Sequence, residues 1–146
     1  MPTPTMVLLR HDLPDGTHHF DFMVKLGASA PGPNGTSGLR TWRVSERIDQ
    51  LPLTADGDGG FFWAEPLGDH RDIYLTFEGD IGGGRGTVTR VAEGAVRLPL
   101  PDLVDASDQV LFEATWWTKP HRNRPFRFTG SRDESGSRWR FSMNPC

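Results

Sequence analysis

His19-Phe20-Asp21-Phe22-Met23-Val24 has the two-residue alternation of a half-buried β-strand. Successive side chains on a strand leave opposite faces. Phe20, Phe22 and Val24 therefore share one face, and His19, Asp21 and Met23 share the other. An imidazole and a carboxylate two residues apart on one face can grip a cation, although such a pair alone is more often a surface contact. Upstream, Met6 to Arg10 reads as a strand ending at His11. The turn Pro14-Asp15-Gly16 can fold His11 back beside His19 and Asp21. Two neutral imidazoles and one carboxylate suit Mn, Fe or Zn.

The rest of the chain extends the β reading. Its 146 residues fit one domain, 1–146, with residues 1–5 and 143–146 read as flexible ends. Seventeen Gly and twelve Pro mark frequent turns. Further strands are expected at Leu39–Val44, Phe61–Glu65, Arg71–Phe77, Thr87–Val91, Ala95–Leu98, Gln109–Trp116, Pro125–Thr129 and Arg138–Ser142. Loops are read at Gly27–Gly38 and Thr54–Gly60. At most two short helices are expected, near Ser45–Leu51 and Pro99–Ala106. The sum is an all-β chain, a single antiparallel β-barrel. On the Arg71–Phe77 strand, Asp72, Tyr74 and Thr76 would share a polar face with His70 and Glu78. Gly82-Gly83-Gly84-Arg85-Gly86 could offer N–H groups to an anion. It lacks the Gly-Lys-Ser/Thr of a nucleotide loop, and a hairpin turn is the better reading.

The formal net charge is −3, which gives no global electrostatic case for nucleic acid. The charge is uneven. Lys119, Arg122, Arg124, Arg127, Arg132, Arg138 and Arg140 face only Asp133 and Glu134 between Thr115 and Phe141. Trp116, Trp117, Phe126, Phe128, Trp139 and Phe141 are interleaved with them. Stacking rings among cations are what a single strand needs, but alternate core aromatics and exposed arginines explain the same pattern. Cys146 is the one cysteine, so no intrachain disulfide forms, which suits a reducing compartment. With no signal peptide or apolar run long enough to span a bilayer, the expected setting is the cytoplasm, away from membranes.

Several stretches in order resemble the 3′-phosphoesterase domain of bacterial DNA ligase D, also called the ligase/polymerase N-terminal domain, and its small free-standing relatives. They are Leu9-Arg10-His11-Asp12, His19-Phe20-Asp21-Phe22, Leu39-Arg40-Thr41-Trp42-Arg43-Val44, Asp69-His70-Arg71-Asp72-Ile73-Tyr74, Phe77-Glu78-Gly79 and Gly84-Arg85-Gly86-Thr87-Val88. The resemblance implies a β-barrel enzyme that uses manganese, or zinc or another divalent ion, to remove 3′-phosphates or 3′-ribonucleosides from DNA ends. It implies His11, His19 and Asp21 as metal ligands, and His70 and Tyr74 as catalytic and phosphate-contacting residues. Implied partners are DNA or RNA–DNA 3′ ends and a DNA ligase or repair polymerase.

The chain departs from the family in its arginines. Met23 stands two residues after the aspartate, and Phe62 eight before His70, where the family has arginine. Two more residues than in the family separate His11 from His19, an insertion that Pro14-Asp15-Gly16 would absorb, and His18 becomes a rival ligand. Arg71 and Arg85, or else Arg10 or Arg43, would have to supply the phosphate contacts. Two other readings stand beside the enzyme. One is a weakened relative that binds nucleic-acid ends or a repair partner without turnover. The other is a 2-His-1-carboxylate iron oxygenase using His19 and Asp21 with His70 or His121.

Overall fold

Strand β1 (Met6–Asp12) turns through Leu13–Thr17 into β2 (His18–Lys25), with Leu8 opposite Phe22 and His11 opposite His19. The computed structural model describes residues 2–27, 38–53 and 59–146. Most of the Gly27–Gly38 loop and of the Thr54–Gly60 turn lies outside them. The remaining strands are β3 (Leu39–Val44), β4 (Gly60–His70), β5 (Gly79–Asp80), β6 (Thr87–Val96), β7 (Val104–Asp105), β8 (Gln109–Trp116), β9 (Pro125–Arg132) and β10 (Trp139–Pro145). Their order is β5-β6-β1-β2-β3-β4-β10-β9-β8-β7, and every pairing is antiparallel. A further β6–β8 pairing closes a ring of 8 strands, so the fold is an all-β, barrel-like sheet.

β6 makes that closure. It pairs with β1 and, near its end, with β8, so Gly94 stands opposite both Met6 and Trp116. A Cβ on Gly94 would lie 2.2 Å from the Thr115 carbonyl oxygen. Only glycine lets the strands approach this closely at the corner. The two strands expected at Thr87–Val91 and Ala95–Leu98 are therefore one bent strand.

Two apolar clusters sit on opposite sides of the β1–β2 hairpin. Met6, Leu8, Phe20, Phe22 and Val24 enter the barrel interior, where the core is aromatic. Phe22 packs against Trp42, Phe62, Trp116, Phe128 and Phe141, at centroid distances of 6.0–6.1 Å. Val7, Leu9 and Met23 leave the opposite face and join Leu39, Leu75 and Val88 outside the barrel. This double burial explains the unbroken apolar run Met6-Val7-Leu8-Leu9. Trp116, Phe126, Phe128, Trp139 and Phe141 are fully buried, so five of the six aromatics of the basic third are core, and Trp117 is only partly buried.

Two expectations need correction. Residues 71–77 are no strand: β4 runs on to His70, and Asp72–Leu75 is a short 3₁₀ helix. The segment joins no ladder of the sheet. It satisfies its backbone locally, with Tyr74 N–H donating to Arg71 and Phe77 N–H to Ile73, and lays Leu75 over the outer cluster. No helix forms in Pro99–Ala106, where Val104–Asp105 instead adds a rung to β8. Ser45–Leu51 does hold its expected short turn of helix, a 3₁₀ turn at Ile48–Gln50. Thr5 N–H donates to Gly94, and β10 continues through a fully buried Met143 to Pro145. No helix among the described residues is long and apolar enough to cross a membrane.

Phe22→Ala is expected to cost about 3–5 kcal/mol in urea denaturation, as a large ring lost from a packed core. Phe61, which is 53% exposed on the neighbouring β4 face, should cost under about 1 kcal/mol when cut to alanine. Equal losses would contradict the assignment of inside and outside.

Candidate metal centre

The β1–β2 register sets His11 across from His19, and the strand period puts Asp21 on the same outer face. The hairpin turn absorbs the extra residues. Leu13 and Thr17 close it by a backbone bond, and Asp15 Oδ1 accepts from both the N–H and the hydroxyl of Thr17. His18 points away from the cluster and lies edge-on to Phe20.

His11 Nδ1, His19 Nε2 and the Asp21 carboxylate converge. The separations are 3.2 Å between the two nitrogens, 3.2 Å from His19 Nε2 to Asp21 Oδ1 and 3.6 Å from His11 Nδ1 to Asp21 Oδ2. Donors ~2.1 Å from a common ion stand roughly 3.0 Å apart at octahedral angles and roughly 3.4 Å apart at tetrahedral ones. The two 3.2 Å separations fall inside that range and the 3.6 Å one lies just beyond it, within reach of a small side-chain shift. Asp21 is 4% exposed, and its Oδ1 accepts no hydrogen bond despite the nearby imidazole. A buried carboxylate oxygen without a partner is costly. These residues fit a divalent cation.

The surroundings set the imidazoles for that task. His11 Nε2 lies 2.7 Å from the Arg85 carbonyl oxygen. A carbonyl can only accept, so the His11 proton sits on Nε2 and the Nδ1 lone pair faces the cluster. Burial holds the His19 imidazole below its ordinary pKa, and Arg43 and His11 push the same way against the pull of Asp21. His19 thus stays neutral near pH 7, the form that ligates.

The cluster lies in a pocket of about 450 Å³ that also takes in Arg43, His70, Tyr74 and Arg85. His70 ends β4, and its Nδ1 donates to the Gly68 carbonyl at 2.7 Å, leaving Nε2 for the pocket. Tyr74 comes from the 3₁₀ helix, edge-on to His70 at 5.7 Å between centroids. The two residues meet across a corner, not along a common strand face. Lys25 anchors that helix through a 2.6 Å ion pair with Asp72.

Not every expected residue joins. Arg71 lines a smaller neighbouring cleft. The Arg85 guanidinium reaches the pocket but is engaged by the carbonyls of Ile81 and Gly82. His121 donates to the Leu51 carbonyl, and neither it nor His70 belongs to the three-residue cluster. Met23 is buried in the outer apolar cluster, and Phe62 stacks on Phe141 in the barrel. Arg43 emerges instead. It stands opposite Asp21 on β3 and makes no hydrogen bond or ion pair among the described residues. Trp42 facing the core would have set Arg43 on the outer face, but only the β2–β3 register aligns it with Asp21.

No family model matches the chain, and none of the curated proteins compared with it matches.

Gly86 holds the loop that orients His11. Its φ is +101°, and a Cβ there would lie 2.0 Å from the Asp12 carbonyl oxygen. Gly86→Ala should therefore pull Arg85 off His11 and weaken manganese binding about 10–100-fold, as loss of a ligand's outer partner does. Titration calorimetry checks this. Unchanged affinity would mean the Arg85 carbonyl does not orient the ligand.

Proposed function

We propose that this chain is a divalent-metal-dependent phosphoesterase that trims 3′-phosphates or 3′-terminal ribonucleosides from nucleic-acid ends. The observation that carries the reading is the convergence of His11 Nδ1, His19 Nε2 and the buried Asp21 carboxylate, whose Oδ1 has no hydrogen-bond partner, in a pocket also lined by Arg43, which is unpaired among the described residues. Two imidazoles and a carboxylate would hold the ion, manganese first. The cationic wall favours an anionic substrate over the uncharged one an iron oxygenase could take. The choice of 3′ ends rests on the sequence resemblance of the stretches that supply these residues.

The bound ion would supply Lewis-acid chemistry toward a phosphate oxygen and an attacking water. Arg43 grips the phosphate and offsets the negative charge that develops on it. His70, its Nδ1 fixed by the Gly68 carbonyl, would exchange a proton through Nε2 with the leaving or attacking oxygen. The Tyr74 hydroxyl orients a phosphate oxygen. Met23 and Phe62 put apolar contacts where the family places arginines, so turnover depends more heavily on Arg43.

A labelled DNA primer ending in a ribonucleotide or a 3′-phosphate, incubated with manganese, tests this reading. Wild type should shorten or dephosphorylate the end, and His19→Ala should not. Equal products from both proteins, or none from wild type at high enzyme, would overturn it, the second outcome favouring a protein that binds without turnover.

Arg43→Gln is expected to lower kcat by about 10²–10³-fold, the usual cost of one lost donor to a developing oxyanion. It should leave manganese affinity within a few-fold of wild type, because Arg43 is no ligand. A large fall in affinity with kcat retained would reverse these roles.

A further inference from the structure

The outer face of β4 carries two rings that the core does not need. Phe62 and Ala64 turn inward, so Phe61 and Trp63 turn outward, 53% and 41% exposed. The cations that cover them come from the basic third of the chain. The Arg140 guanidinium lies 4.7 Å from the Phe61 ring centroid, and that of Arg138 lies 4.3 Å from the Trp63 centroid. In register Trp63 pairs with Arg140 and Phe61 with Ser142, so each arginine reaches diagonally. The result is a ladder of alternating rings and guanidinium planes, Phe61, Arg140, Trp63, Arg138.

The ladder leads to the metal centre. A cleft of about 290 Å³ beside Trp63 and Arg138 shares His19 and Arg43 with the pocket described above. Glu65 is the one acid on its wall, against two arginines.

We propose that this face is the track along which a single nucleic-acid strand enters the candidate centre, with its bases stacked on Trp63 and Phe61 and its phosphates running past Arg138, Arg140 and Arg43. The proposal rests on the phosphoesterase reading for its direction, but its binding chemistry stands apart from turnover. Aromatic rings and guanidinium planes both stack bases of any sequence. Phe61 and Trp63 are two residues apart, ~6.7 Å along a strand. That is about twice the ~3.4 Å per-strand phosphate spacing of duplex DNA. The ladder therefore matches an extended, unstacked strand. A duplex keeps its base faces covered and offers these rings nothing.

Fluorescence anisotropy with a short single-stranded oligonucleotide bearing a 3′-phosphate, in EDTA so that nothing turns over, tests the track. Trp63→Ala should bind roughly 5- to 140-fold more weakly, which is the ~1–3 kcal/mol of one base–aromatic stack at about 1.4 kcal/mol per tenfold. Trp63→Phe keeps a ring and should recover most of the binding. Arg138→Gln should reduce the slope of log K against log salt by about 0.7, the share of one phosphate on a single strand. Trp63→Ala binding as wild type does, or a blunt duplex binding as tightly as the single strand, would overturn the proposal. Binding without end cleavage keeps the track and removes the reaction. Cleavage with no effect of Trp63→Ala keeps the reaction and removes the track.

Discussion

The register of β2 against β1 is the constraint on which the rest depends. A one-residue slip would turn Phe20, Phe22 and Val24 out of the barrel and drive His19 and Asp21 into it. Burying a carboxylate among Trp42, Phe62 and Phe141 would be prohibitive. Burial holds the hairpin from both sides, because Val7, Leu9 and Met23 are covered on the outer face as the phenylalanines are within. The same two-sided burial that fixes the sheet therefore also fixes the donor atoms. The candidate metal site is built on strands rather than loops, which is where side-chain positions are held most closely.

The outer apolar cluster has a second consequence. Leu75, Tyr74 and Ile81 roof the space beside the donors, so Asp21 loses most of its water and His19 is held neutral by burial. Low local polarity strengthens the attraction between a carboxylate and a cation. It also brings Arg43 into play, since an exposed guanidinium facing a half-dry pocket acts on whatever anion enters. The segment 71–86 thus does three things at once. It covers the cluster, carries Tyr74, and delivers the Arg85 carbonyl to His11.

Much of this was legible in the sequence. The alternation in His19–Val24 fixes which residues share a face, and the turn residues mark nearly every strand boundary. What local pattern could not decide was competition for partners. Arg71–Phe77 alternates like a strand, yet it joins no ladder and closes its hydrogen bonds locally, and topology is not written in seven residues. Arg43 shows the same limit. Its outward face follows from Trp42 pointing inward, but its alignment with Asp21 comes from pairing between strands. All but Trp117 of the rings of the basic third went to the core because their strands close the barrel. The exposed rings come from β4, where Phe61-Phe62-Trp63 gives no local sign of which face is inner.

Anomalous diffraction from crystals soaked in manganese tests the central claim most directly. The account predicts one strong peak about 2.2 Å from His11 Nδ1, His19 Nε2 and an Asp21 oxygen, beneath Arg43. A peak at another group of residues, or none at these three with the ion in excess, would contradict it.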